Sequence, residues 1–225
     1  RATIAGATAN DVITFNASLS GQTIHLASTL VLDKNLTIDG ASLLSQITIS
    51  GDTDANNTAD VRVFIVNAGV TATFRNLTIT KGNGNEVVTG FPAGGGAILN
   101  AGTLTVTNST FSENLVSIHV NDNETGGAIT NFNALTVTNS TFVNNSSAYV
   151  GGAINNHTGA SMTVANSTFS GNSADVAGGG ILNQGTLQLI NNTLSANSAG
   201  DTNDGGGVFN SSGGILNFTN TIIAN

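Results

Sequence analysis

The sequence predicts an all-β chain, a single-stranded right-handed parallel β-helix of about 25 residues per coil. Three observations predict it. Gly95, Gly126, Gly151, Gly178 and Gly205 each open a Gly-Gly segment, at intervals of 31, 25, 27 and 27 residues. Apolar and polar residues alternate in Leu104-Thr105-Val106-Thr107 and in Leu135-Thr136-Val137-Thr138, the period of a strand with one face turned inward. Residues beyond the 25-residue frame fall only at fixed places, after a closing asparagine (115–125, 198–204) or just before the strand leucine (157–161). Variable loops hung on a constant coil define a solenoid. Its hand is expected to be right because parallel crossovers overwhelmingly are.

Taken in order, residues 1–11 are small and weakly amphipathic and read as a cap or lead-in. Val12-Ile13-Thr14-Phe15, Thr23-Ile24-His25-Leu26 and Leu30-Val31-Leu32 follow as short strands rich in β-branched residues. Asn35-Leu36-Thr37-Ile38 and Asn76-Leu77-Thr78-Ile79 share one turn pattern, and 46–50 and 62–67 supply further strands. Residues 12–94 are thus irregular coils and 95–225 five regular repeats of a single domain, 1–225. Seven or eight coils at the spacing of paired strands make a rod roughly 35 Å long.

Each regular repeat has one plan. A Gly-Gly-Ala-Ile corner (Gly95 to Ile98, Gly126 to Ile129, Gly151 to Ile154) is followed by an alternating strand and by Phe-x-x-Asn (Phe111 to Asn114, Phe142 to Asn145, Phe169 to Asn172). The glycines suit a tight corner. Leu104, Val106, Phe111 and their counterparts fill the bore. Three asparagine columns are expected to stack as ladders of side-chain amides, donor to acceptor. They are Asn100, Asn131, Asn156, Asn183 and Asn210; Asn108, Asn139, Asn166, Asn191 and Asn220; and Asn114, Asn145, Asn172, Asn197 and Asn225.

The paired Gly-Gly-Ala-Ile and Phe-x-x-Asn motifs resemble the repeats of chlamydial polymorphic outer-membrane proteins. The lead-in Ile13-Thr14-Phe15 with Leu19-Ser20-Gly21-Gln22-Thr23-Ile24 resembles that of large secreted bacterial β-helix proteins carrying the same repeats. The resemblance implies a bacterial surface or secreted protein, often adhesive, with a host surface or a glycan as partner. Chlamydial members end in a membrane β-barrel, and no such segment is read in 1–225.

Composition narrows the function. Charged residues are 8% of the chain and the net charge is −8. All five basic residues, Arg1, Lys34, Arg62, Arg75 and Lys81, lie in the first 81 positions, so nucleic acid, which needs cationic contacts, is not an expected partner. The chain has no Cys, which excludes disulfides and thiolate zinc. No apolar run is long enough for a membrane-spanning helix, and no membrane insertion is expected.

Enzymes that use this fold cleave polysaccharides, which makes a lyase or hydrolase the alternative to a non-catalytic role. A uronate lyase needs a cation to neutralise its substrate, and none follows Lys81. A hydrolase needs two nearby carboxylates. Glu86, Glu113, Asp122, Glu124, Asp175, Asp201 and Asp204 read as lone or loop residues, and His25, His119 and His157 share no spacing. The chain is expected not to be an enzyme and to require no cofactor.

Asp52-Thr-Asp54-Ala-Asn56-Asn57-Thr58-Ala-Asp60 sets oxygen ligands at alternate positions, as calcium loops do, with Asp52, Asp54, Asn56 and Asp60 as the candidate ligands. It lacks the glycine at position six, where Asn57 stands, and a late glutamate, where Val63 stands. The outward pairs Thr105/Thr107 and Thr136/Thr138 resemble the arrays of ice-binding solenoids, but the columns lapse at Ala165 and Gln188. Finally, solenoids normally cover their ends. Leu216, Phe218 and Ile222 at one end and Ala2 and Ile4 at the other are expected as apolar surfaces, through which copies join head to tail into a filament.

Overall fold

The computed structural model describes residues 2–86, 92–118, 125–200 and 205–224. Strands that recur once per coil stack into four sheets, and every pairing is parallel. The first sheet has eight strands, from Asp11–Thr14 through Thr103–Thr107 to Ile215–Thr219. The second also has eight, from Thr23–His25 to Ile222–Ala224. The third has seven, from Leu30–Leu32 to Val208–Asn210, and the fourth has four, from Leu115–Val116 to Ser198–Ala199. Eight coils at about 4.8 Å make a stack about 34 Å long between its end strands. The fold is the parallel β-helix that the sequence predicts.

Register runs unbroken through the insertions. Asn131 pairs with Asn156 and Ala134 with Ser161, so the added residues at 157–160 form a turn and leave both strands in phase. The turn closes with Ala160 N–H donating to the His157 carbonyl at 3.0 Å. Other variable corners, with His119, Asp122, Glu124, Asp201 and Asp204, lie outside the described residues.

The bore is made of like residues on like. Phe111, Phe142 and Phe169 are fully buried and stack face to face, with centroids 4.7 and 4.6 Å apart and planes within 5° and 4°. Each such pair adds about 1 kcal/mol beyond the area it buries. Beside them run columns such as Ile38, Phe74, Val106, Val137, Val164 and Leu189, each directly over the last.

The Gly-Gly corners divide two tasks. The first glycine supplies left-handed backbone, with φ of 57, 63, 66 and 53° at Gly95, Gly151, Gly178 and Gly205. The second lies where coils touch. A Cβ on Gly127 would stand 2.1 Å from the Gly152 carbonyl oxygen, and one on Gly152 would stand 2.1 Å from that of Gly179.

One element went unread in the sequence. Arg62 is fully buried and grips the excursion that follows the third coil. Its Nε donates to the Gly94 carbonyl at 3.0 Å, and its Nη2 to those of Glu86 and Pro92 at 3.0 and 3.2 Å. Desolvation pulls its pKa down to about 10, against the charge of Glu86, which acts to raise it. Val61, Val63, Phe64, Ile65 and Val66 around it read as a strand, and nothing in that run shows that the arginine will be enclosed by carbonyls.

The two ends differ. The helix α1, Ala2–Gly6, lies over the first coil, and its Ile4 turns onto the core. A hollow of about 260 Å³ remains beneath it, lined by Ile13, Phe15, Ile24 and Leu30. Residues 1–11 thus hold a cap, and Ile4 is committed to the bore in place of the end face expected of it. Of Ala2 only its place in the helix is described. In the last described coil Phe218 and Ile223 are 63% and 45% exposed, while Leu216 packs on the core. Ile222 was expected along the axis, yet it pairs with the outward Thr193, whereas Ile223 pairs with the bore residue Leu194. Two adjacent isoleucines carry no alternation that separates inward from outward.

Candidate functional site

Two asparagine columns are ladders. In the first, each Nδ2 donates to the Oδ1 one coil on: Asn100 to Asn131 at 2.7 Å, Asn131 to Asn156 and Asn156 to Asn183 at 2.8 Å, Asn183 to Asn210 at 2.7 Å. In the second, Asn114 donates to Asn145 and Asn145 to Asn172 at 2.9 Å, and Asn172 to Asn197 at 2.8 Å. Its expected fifth member, Asn225, lies outside the described residues. Asn100, Asn131, Asn156, Asn114, Asn145 and Asn172 are all fully buried. The same oxygens also take backbone N–H groups at the corner, as from Asn114 to Asn145 Oδ1 at 3.1 Å. Buried amides on both sides are thereby satisfied.

The column of Asn108, Asn139, Asn166, Asn191 and Asn220 is built differently. All five are exposed and hold left-handed backbone, with φ between 47 and 54°. Their task is the turn from the first sheet to the second, a conformation that asparagine tolerates better than other residues with a Cβ. Within this column one lateral bond is made, Asn191 Nδ2 to Asn166 Oδ1 at 3.2 Å. The inward ladder sits one residue later, at Ser109, Ser140, Ser167, Asn192 and Thr221. Ser140 Oγ accepts from Ser109 N–H at 3.2 Å and donates to the Thr138 carbonyl at 2.8 Å. Ser167 does the same one coil on, and Asn192 accepts from Ser167 N–H at 2.9 Å. A small polar residue after each turn asparagine was the signal that could have revealed this.

The acidic loop leaves the second sheet at Ser50 and returns to the wall after Asp60. Its neck is closed on the Gly51 carbonyl, which accepts from Asp60 N–H at 3.1 Å and Val61 N–H at 3.0 Å. Asp52, Asp54 and Asp60 each bring a carboxylate oxygen within 4.8 Å of the others. Asp52 is buried and accepts from Asn56 and Asn57 N–H at 3.2 and 3.0 Å. Asp54 accepts Asn56 Nδ2 at 3.0 Å. Asp60 takes Thr53 N–H at 2.7 Å, with the Thr53 and Thr58 hydroxyls at 2.9 and 3.0 Å. The Thr53 donors hold the Asp60 carboxyl below its ordinary pKa. Asn56 lies in the same turn, with its Oδ1 toward Thr58. His25 joins from the wall, its Nδ1 2.7 Å from the Asp52 carbonyl oxygen.

Other acids are dispersed. Glu113 and Asp175 stand on different corners of different coils, and Glu86 lies beside Arg62. His157 tilts against Phe132 at 4.8 Å. On the outer wall, the threonine array expected on the first sheet lapses as the sequence implied, from Thr138 to Ala165 and from Thr163 to Gln188. An unbroken column instead runs up the second sheet through Thr23, Thr48, Thr78, Thr110, Thr141, Thr168 and Thr193. Gln46 lies across it, accepting from the Thr78 hydroxyl at 3.1 Å.

The features that repeat are therefore a stacked Phe, a ladder Asn three residues later and a Gly that admits no Cβ. Two segments that carry them match a known repeat family. Residues 139–157 and 166–184 match the Chlamydia polymorphic membrane protein repeat. The first match holds Phe142 to Asn145 with Gly151 to Ile154, and the second Phe169 to Asn172 with Gly178 to Ile181. Each matched segment is 19 residues, the part of a coil that runs from a turn asparagine to just past the next Gly-Gly corner. No curated protein and no solved structure matches the chain.

Proposed function

We propose that the chain is a non-catalytic structural or adhesive β-helix of a bacterial surface, joining end to end with further copies. The observation that carries this reading is the match of two adjacent coils to a repeat of surface-associated membrane proteins. The dispersal of Glu86, Glu113 and Asp175 supports a role without catalysis. Leu216, Phe218 and Ile223 end the bore columns that begin, two sheets over eight coils, at Asp11, Ile13 and Ile24. In a head-to-tail contact a copy's Phe218 and Ile223 meet the capped end of the next, where half-buried Ile4 of α1 lies over the hollow lined by Ile13 and Ile24. Such a contact does not close and extends as a filament. Light scattering of the purified chain is expected to show mass growing with concentration, and Phe218→Asp to hold it at the monomer. A monodisperse monomer at high concentration, with no fibres on a grid, sinks the end-to-end reading.

We also propose that Asp52, Asp54 and Asp60, with Asn56, take calcium. Three carboxylates so close repel one another, and a divalent cation offsets that repulsion. The melting temperature is expected to rise by several degrees in millimolar calcium and to fall back in excess chelator. Identical melts in both would remove the ion from the reading.

A further inference from the structure

Lys81 borders the acidic loop, in the strand-to-corner position of the second sheet, just after Leu77–Thr80. Three carboxylates stand in that loop. Even so, among the described residues Lys81 makes no ion pair, while Lys34 and Arg75 each do. Its Nζ goes instead to the neutral side chain of Asn57, donating to Oδ1. Both residues are set by backbone that few side chains tolerate, with φ of 51° at Lys81 and 75° at Asn57. At Lys81 the angle belongs to the corner itself, since Glu113, Asn144 and Ala196 hold it at the same place in later coils. Asn57 is further anchored through its N–H on buried Asp52, and Asn83 Nδ2 ties the next residues to the wall through the Ala59 carbonyl at 2.8 Å. The amine and the amide are thus brought together from two turns whose backbones are hydrogen-bonded in place. Glu113 follows Lys81 one coil on, and both line a single hollow of about 460 Å³ with Asn57.

We propose that Lys81 and Asn57 become joined by a side-chain isopeptide bond. Nζ of Lys81 attacks Cγ of Asn57, and a new C–N bond forms as the carbonyl opens to a tetrahedral centre. Glu113, which lines the same hollow but lies beyond ion-pair distance of Nζ, accepts the proton from the attacking nitrogen through a bridging water and returns it to Nδ2. The Cγ–Nδ2 bond then breaks, the carbonyl re-forms, and one ammonia leaves. No oxidant or second substrate is consumed. Held contact between nucleophile and amide supplies the orientation that makes such an attack effectively unimolecular. The product staples the nine-residue excursion to the wall of the rod, across 24 residues of chain.

Intact mass spectrometry of the purified 225-residue chain tests this. The expected mass is about 17 Da below that of the sequence, one ammonia, with a branched peptide joining 57 and 81 after digestion. Lys81→Arg keeps the charge and the fold and is expected to restore the full mass. Glu113→Gln is expected to leave most of the chain at full mass, and an undiminished deficit there overturns the role given to Glu113. Full mass in the unaltered chain, even after long incubation at mildly alkaline pH, overturns the bond. A deficit that persists in Lys81→Arg reports a succinimide at Asn57 and overturns it too.

Discussion

Gly152→Ala is expected to leave little or no folded protein. The added Cβ would meet the Gly179 carbonyl oxygen at 2.1 Å and the Ser173 carbonyl oxygen and carbon at 2.4 and 2.6 Å. All three are backbone atoms of the coil above, so no side chain can swing aside. Relief requires the two coils to part, which breaks parallel pairing on more than one wall. The cost exceeds about 4 kcal/mol, the range reserved for severe defects, and urea unfolding or the yield of soluble chain reads it. Gly159→Ala is the control. Nothing lies within 4 Å of its Cβ, but φ is +80°, so it should cost only about 1 kcal/mol. Equal effects at the two glycines would mean that coil contact is not what the second glycine of each pair serves.

Asn145→Ala should destabilise by about 4 kcal/mol, read as a lower urea midpoint with an unchanged slope. The truncation removes the acceptor for Asn114 N–H and Asn114 Nδ2 and the donor to the Phe111 carbonyl and Asn172 Oδ1. All of these groups are out of reach of water, and each buried group left unpaired costs about 1–3 kcal/mol. Asn139 is the informative comparison, since it is exposed and has φ +50°. There Asn139→Gly should be close to neutral and Asn139→Val clearly destabilising, because the backbone angle and not the amide is what matters. If Asn139→Ala proved as damaging as Asn145→Ala, the division of the columns into ladder and turn would fail.

That division marks where the sequence could be read and where it could not. Periodicity is a property of strings, so the coil, its 25-residue frame and the inward set Leu104, Val106 and Phe111 were legible from alternation and spacing. The sign of a dihedral is not. Asn108 and Asn114 recur with equal regularity, yet one turns the chain with its amide outside and the other is sealed in the bore. Ser109, next to the turn, carries the ladder instead. The same one-residue ambiguity displaced Ile222 for Ile223. In the acidic loop the alternate spacing did announce Asp52, Asp54 and Asp60 as neighbours. It could not announce that their oxygens would be engaged by Thr53, Asn56, Asn57 and Thr58, because turn geometry decides where those donors point. Arg62 and the contact of Lys81 with Asn57 join residues 22 to 32 apart across coils. No local pattern encodes such pairs.

The two buried amide ladders also give the rod an electrical direction. In every amide-to-amide bond Nδ2 donates toward the coil of higher number and Oδ1 accepts from the coil below, from Asn100 to Asn210 and from Asn114 to Asn197. Aligned hydrogen-bonded dipoles polarise one another in a low-dielectric interior, so partial negative charge gathers at the lower terminus of each chain of amides and positive charge at the upper. The termini are closed accordingly: Asn114 Oδ1 begins one series by accepting Gly82 N–H at 2.9 Å, and Asn210 Nδ2 ends the other on the Gly214 carbonyl at 2.8 Å. A coil laid on upside down would set donor against donor at both positions. Growth on this scaffold, by whatever segment supplies it, therefore proceeds with a single polarity.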